Sequence, residues 1–193
     1  MRLVEIIKIL KETKVKILSL SDLKKLLDIE NDNTAYKIAE KLIGEKFLLR
    51  IKKGTYISTF NSPEDFELAN ALYVPSYISF ESALSYYGIL SQFPYSTTSV
   101  SPKKTKKITV EGKEYSYTQI SRKLYWGFRR EGQIIIASQE KALLDMLYIT
   151  AKGRRKVELD ELDYSSINKK DFYKMCQKVK YRPFLNKLKE IRL

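Results

Sequence analysis

The fold of the N-terminal part of the chain is decided by residues 47–58, which read FLLRIKKGTYIS. Apolar residues are frequent in both halves of this stretch, and Lys53-Gly54 separates the halves. Glycine accepts the positive φ that a tight hairpin turn requires. The pattern therefore predicts a β-hairpin with a basic tip.

Three helical patterns precede the hairpin: one in residues 3–10, a short one with Leu23, Leu26 and Leu27 on one face, and one from about Thr34 to Leu42. Residues 19–22 offer N-caps for the second helix, Gly44 is expected to end the third in a left-handed cap, and residues 14–17 alternate like a short strand. This order of elements predicts a winged helix-turn-helix, which is a DNA-binding module: helix, strand, helix, turn, helix and hairpin. A small helical protein-interaction domain is the alternative, but it has less reason to carry a basic hairpin.

A domain boundary is expected near residue 60, because a breaker cluster follows there and residues 61–101 contain four acids and no Lys or Arg. Helical patterns at 63–72 and 79–89 precede strand patterns between 96 and 136. A helical pattern at 139–149 and a basic, helical C-terminal part follow. The chain is therefore predicted to be α+β, with a winged helix-turn-helix domain at 1–60 and, at 61–193, an α+β domain in which helices flank an antiparallel sheet.

Histidine is absent and Cys176 is the single cysteine. This composition excludes a zinc finger, a Cys–His nucleophile, a Ser–His–Asp triad and an internal disulfide. We therefore expect no catalytic residue, cofactor or metal ion, a Cys176 that fills a core, and a reducing, cytoplasmic location. The N-terminal residues lack the pattern of a signal peptide. No apolar run approaches the roughly 20 residues that a membrane span needs.

The net charge of +13 favours a polyanionic partner, although a broad bias towards lysine is an alternative explanation. In a winged helix the N-terminal end of the third helix enters the major groove. We expect contacts with duplex DNA from this helix and from the hairpin: Asn33, Thr34, Tyr36, Lys37, Lys41, Arg50, Lys52 and Lys53. Asn33 or Thr34 could instead only cap the helix, Glu40 could pair with a nearby lysine, and Arg50 could face the sheet.

Two other functions remain open at this stage. A metal-dependent nuclease would use Glu140, Lys141 and Asp145, with Glu81 as a ligand from a second element; an acid–lysine pair on a helix flank is more often a surface salt bridge. An RNA-binding protein would use the basic strands and the basic C-terminal tail. The basic run at 101–107, SPKKTKK, could be a solvated hairpin tip or a second surface for nucleic acid or an acidic partner. The aromatic residues of the neighbouring strand patterns are expected to pack the sheet rather than to stack on bases: Tyr115, Tyr117, Tyr125 and Trp126.

Two stretches resemble the second domain of the AbiEi family of antitoxins: residues 73–88, YVPSYISFESALSYYG, and residues 136–145, IASQEKALLD. In that family a winged helix-turn-helix also precedes this domain, and the resemblance covers most of the chain except about the last forty residues. It implies an autorepressor that binds inverted repeats at its own promoter. It also implies an antitoxin that counteracts a nucleotidyltransferase-like toxin without a stable complex. A palindromic operator would bring two copies together, so a homodimer on DNA is a further expectation. On physical grounds Ser79 is expected to cap a helix and Pro75 to shape its approach.

Overall fold

The computed structural model of the chain describes residues 2–156, 159–189 and 191. Its contacts divide into two compact units, unit 1 (Met1–Leu72) and unit 2 (Tyr73–Leu193). Helices and strands occur in both units, so the predicted α+β class is confirmed.

Unit 1 packs helices around a small antiparallel sheet, in which the strand order is β1-β3-β2. Its elements are α1 (Leu3–Glu12), β1 (Ile17–Ser19), α2 (Leu20–Leu27), α3 (Asp32–Gly44), β2 (Leu48–Lys52), β3 (Thr55–Ser58) and α4 (Asp65–Leu72). Helices α1, α2 and α3 and the sheet share one apolar core, which includes Ile6, Leu10, Leu18, Leu23, Leu27, Ala39, Leu42, Leu48 and Tyr56.

The start of α2 and the hairpin agree with the sequence. Ser19 caps α2 by accepting a hydrogen bond from the backbone of Asp22, and Gly54 has the positive φ of 68° that the turn between β2 and β3 requires. The first strand, however, lies at Ile17–Ser19 rather than at residues 14–17. The reason is Leu18, which is fully buried and pairs with Tyr56 of β3.

The end of α3 differs from the prediction, because Gly44 is the last helical residue and Lys46 adopts the left-handed conformation with φ of 61°. The N–H of Lys46 donates to the carbonyl of Ile43, and the N–H of Phe47 donates to the carbonyl of Leu42 at 2.8 Å. These bonds form a Schellman motif, in which an apolar residue follows the left-handed one. Phe47 packs against the core, so the motif places the left-handed residue at Lys46.

Helix α4 belongs to unit 1, so the chain passes from one unit to the other between Leu72 and Tyr73 and not near residue 60. The ammonium of Lys16, beside β1, lies 2.9 Å from the carboxylate of Glu67. Burial opposes ionisation of Glu67, but hydrogen bonds from Lys16 and from the N–H of Glu64 outweigh it and lower the pKa of Glu67. The ammonium of Lys52 donates to the carbonyl of Ala71 at the other end of the helix. A reversal of charge along the sequence therefore does not coincide with the division of the fold.

Gly44 at the end of α3 and Gly54 in the turn between β2 and β3 are predicted to respond in opposite ways to replacement by alanine. Gly54→Ala should lower the free energy of unfolding by about 1–2 kcal/mol, because alanine tolerates positive φ poorly while its Cβ would meet only ordinary contacts. Gly44→Ala should raise it by roughly 0.5–1 kcal/mol, because this residue is helical and a Cβ there has open space. Urea denaturation of both variants measures the difference. Equal destabilisation would mean that Gly44 has a left-handed backbone after all.

Unit 2 is built on a six-stranded sheet with the order β6-β7-β5-β4-β9-β8. Its strands are β4 (Tyr77–Ile78), β5 (Thr97–Ser101), β6 (Lys106–Val110), β7 (Lys113–Gln119), β8 (Phe128–Glu131) and β9 (Ile134–Ala137). Its helices are α5 (Phe80–Tyr86), α6 (Gln139–Ala151), α7 (Lys169–Cys176) and α8 (Arg182–Leu188). Short 3-10 turns lie at Arg122–Leu124 and Leu159–Glu161.

The predicted antiparallel sheet is wrong in one respect, because the sheet is mixed: β4 runs parallel to β9 and β5 runs parallel to β7. No sequence pattern indicates β4, since two residues carry no periodicity, yet β4 occupies a central position. The pattern at 124–128 is typical of a strand and also misleads. There a 3-10 turn ends at Leu124, residues 125–127 form no strand, and β8 begins only at Phe128.

Helix α5 is not capped by Ser79, contrary to expectation. The Ser79 hydroxyl donates to Asp145 instead, and Phe80 has a positive φ of 56°. Thr98 of β5 takes over the cap, because its hydroxyl accepts from the backbone N–H of Ser82 at 3.1 Å and donates to the carbonyl of Ser79 at 2.7 Å. A side chain from the sheet thus satisfies the first turn of α5. Pro75, for its part, follows a cis peptide bond with Val74.

Helix α6 is surrounded by protein and contains a fully buried ion pair between Lys141 and Asp145. Tyr77 and Ser79 each donate a hydrogen bond of 2.9 Å to the second carboxylate oxygen of Asp145. The ring of Trp126 lies 5.0 Å from the Lys141 ammonium. The expectation of a surface salt bridge is therefore wrong. Burial raises the pKa of Asp145, although Lys141, Tyr77 and Ser79 oppose that effect.

We predict that Asp145→Asn lowers the free energy of unfolding by about 3–5 kcal/mol, because it leaves the Lys141 ammonium buried without a counter-charge. The double variant Lys141→Met/Asp145→Asn removes both charges and keeps an oxygen that can accept from Tyr77 or Ser79. It should therefore lose less stability than Asp145→Asn alone. Urea denaturation of the two variants and of Lys141→Met measures the coupling. Additive losses would show that the ion pair is not the reason for the instability.

Candidate nucleic-acid interface

The N-terminal end of α3 is capped by Asn31, whose side-chain oxygen accepts from the N–H of Asn33 at 2.8 Å and of Thr34 at 3.2 Å. The alternative in which Asn33 or Thr34 is itself the cap is therefore wrong. Both residues lie in the first turn of the helix with exposed side chains.

The outer face of α3 is formed by Asn33, Lys37 and Lys41, which are spaced by four residues and are all exposed. The opposite face, with Ala35, Ala39 and Leu42, is buried. Two of the three side chains on the outer face are cationic, so this surface can meet an anion.

Tyr36 is half-buried and lies towards the hairpin. A Cβ added at Gly54 would be 3.6 Å from the Tyr36 hydroxyl oxygen. The Tyr36 hydroxyl therefore lies close to the hairpin turn.

Thr34 and Lys41 also border a groove of about 460 Å³ beside the outer face. The groove is lined mainly by apolar side chains: Leu3, Ile6, Leu27, Ile29 and Ile38 together with Asp28. These two residues are therefore placed on the α1 side of the face.

The three basic residues of the hairpin have different surroundings. Arg50 is exposed and forms an ion pair with Glu40 of α3, so the partner of Glu40 is an arginine and not a lysine. Lys52 donates to the carbonyls at the C-terminal end of α4, where a cation is favourable. Lys53 is exposed at the turn. Among the predicted contacts on the hairpin, Lys53 is thus best placed for an external anion.

The three carboxylates of the alternative nuclease site are held apart by separate partners. Glu81 pairs with Arg155, Glu140 accepts from the backbone N–H of Asn168 at 3.2 Å, and Asp145 is buried against Lys141. Within residues 2–156, 159–189 and 191, no group of three or more acidic or cysteine side chains is placed to hold a metal ion.

The basic run at 101–107 meets Tyr73 in unit 2. The ammonium groups of Lys103 and Lys106 each lie 5.6 Å from the centre of the Tyr73 ring, and the Tyr73 hydroxyl donates to the carbonyl of Lys104. Tyr115 and Tyr117 are buried, as expected for sheet packing, while Tyr125 and Trp126 are half-buried in the turn before β8.

Cys176 is buried, with 2% of its surface exposed, as expected for a core residue. Burial raises the pKa of its thiol to about 12, so the reactive thiolate is scarce near neutral pH. The side chain therefore lacks the properties of a nucleophile.

Comparison of the chain with protein-family models and with curated proteins gives no match in either case. Among the helices that the structure describes, none has both the length and the apolar character needed to cross a membrane.

Proposed function

We propose that the chain is a DNA-binding transcriptional regulator, and that residues 1–60 form a winged helix-turn-helix. The exposed face of α3 with Asn33, Lys37 and Lys41 carries this proposal. It is supported by the order of the elements, because α1, β1, α2 and α3 are followed directly by a hairpin with Lys53 at its tip. In such modules the third helix reads the major groove.

In this proposal α3 enters the major groove by its N-terminal end and lies along it with the outer face towards the bases. The Asn33 amide can pair with an adenine edge, and Lys37 and Lys41 can bind phosphate or guanine. The helix N-terminus itself favours a phosphate, and Lys53 reaches the backbone beside the groove. Arg50 has an indirect role, because its pairing with Glu40 neutralises an acid at the border of the DNA-facing surface.

Replacement of Lys37 and Lys41 by alanine should weaken duplex binding and reduce the slope of log K against log salt by roughly two, because two phosphate contacts are lost. The matched control is Lys8→Ala/Lys14→Ala, which removes the same charge from exposed positions outside α3. Fluorescence anisotropy with the promoter duplex at several salt concentrations measures both variants. Equal losses in the two variants would mean that net charge alone, and not α3, binds the DNA.

We further propose that unit 2 gives the protein antitoxin activity against a nucleotidyltransferase-like toxin. The support comes from the two stretches that resemble AbiEi antitoxins, because they meet in the core: Tyr77 and Ser79 of the first bind Asp145 of the second. The shared residues thus form one buried cluster. Their contacts are structural, which favours antagonism by a folded surface over catalysis by the chain.

Cells that express the toxin should be rescued by this chain, and rescue should survive Glu81→Gln and Glu140→Gln, since neither carboxylate is expected to do chemistry. Lys37→Ala/Lys41→Ala should also rescue, because repression and antagonism are assigned to different units. Colony counts, with protein levels from immunoblots, measure the result. Loss of rescue by Glu140→Gln at a normal protein level would instead support the carboxylate-dependent enzyme.

A further inference from the structure

Unit 2 presents two aromatic side chains on one short loop, residues 91–96 (SQFPYS), which we name the aromatic loop. Phe93 is 88% exposed and Tyr95 is 108% exposed, the highest values among the large apolar residues of the described chain. Single apolar residues at a surface are ordinary, but two rings of this exposure within three residues are typical of an interface anchor.

The aromatic loop is fixed to the turn at 159–163. Leu90 forms a β-bridge with Leu162, and the N–H of Asp163 donates to the carbonyl of Ile89 at 2.8 Å. The side-chain amide of Gln92 donates to the carboxylate of Glu161 at 3.2 Å. The rings are therefore displayed by a loop that is held at its base and loses little conformational entropy when a partner binds.

The segment that holds the base of the loop is acidic, although the chain as a whole is basic. Asp160, Glu161 and Asp163 lie within four residues of each other, and residues 61–101, which include the loop, contain no Lys or Arg. Such a surface repels the phosphates of a nucleic acid and attracts a basic protein surface.

We propose that the aromatic loop is a self-association surface that docks on a basic face of a second copy of this chain. The argument is charge complementarity with the basic edge of the sheet. Exposed lysines lie there in and directly before the edge strand β6: Lys103, Lys104, Lys106 and Lys107. Phe93 and Tyr95 supply the apolar centre of the contact, and the three acids supply its polar rim. The proposal does not depend on DNA binding or on antitoxin activity.

Sedimentation velocity of the full chain over a range of concentrations tests the proposal. Wild-type protein should self-associate in about 50 mM NaCl and dissociate in about 500 mM NaCl, because the rim is electrostatic. Phe93→Ser/Tyr95→Ser should weaken association by about tenfold or more. Asp160→Asn/Glu161→Gln should weaken it as well and should reduce the salt dependence, while the amide oxygen introduced by Glu161→Gln can still accept from Gln92.

The matched control is Tyr173→Ser, which removes an aromatic ring of 42% exposure from α7 and should leave association unchanged. Circular dichroism confirms that each variant is folded. A wild-type chain that stays monomeric at low salt would overturn the proposal and leave the loop for a different protein. Association that is unaffected in Phe93→Ser/Tyr95→Ser would overturn it too.

Discussion

The Lys141–Asp145 pair constrains the centre of unit 2, because two opposite charges that are both fully buried lose much of their mutual stabilisation if their geometry changes. Tyr77 and Ser79 complete the pair, and they stand in and directly after the central strand β4. This strand is only two residues long, so its backbone ladder fixes it weakly. The hydrogen bonds from Tyr77 and Ser79 to Asp145 therefore help to fix the position of β4, and they also fix how α6 packs against the sheet.

The same pair imposes a requirement on the chain before β8. A Cβ added at Gly127 would lie 2.9 Å from Cγ of Lys141, and Gly127 has a positive φ of 78°. Glycine is thus needed for both space and backbone conformation. The close approach also brings the Trp126 ring beside the Lys141 ammonium, where a cation–π contact stabilises the buried charge. One ion pair therefore connects α6, β4 and the entry to β8.

The sequence predicts those features of the fold that depend on the backbone preferences of neighbouring residues. It does not predict features that depend on contacts between residues far apart in the chain. Gly54 in the hairpin and Ser19 at the start of α2 follow from backbone preferences, and the structure has both. The partner of Arg50 is Glu40, ten residues away on another element, and no spacing rule reports it. The burial of Lys141 could have been inferred, because Ala142–Leu144 and Met146–Ile149 surround Asp145 with apolar residues on every side of the helix.

Charge is distributed unequally between the units, and this bears on how the chain would meet DNA. Unit 1 has thirteen basic and eleven acidic residues, whereas unit 2 has twenty-three basic and twelve acidic ones. In the proposed complex with DNA, long-range attraction would come mainly from unit 2, and α3 would supply the base contacts. Several acids of unit 2 are internally paired, among them Glu81, Glu114 and Glu131. Asp160, Glu161 and Asp163 near the aromatic loop are exposed instead, so the loop carries a local acidic surface in a basic unit.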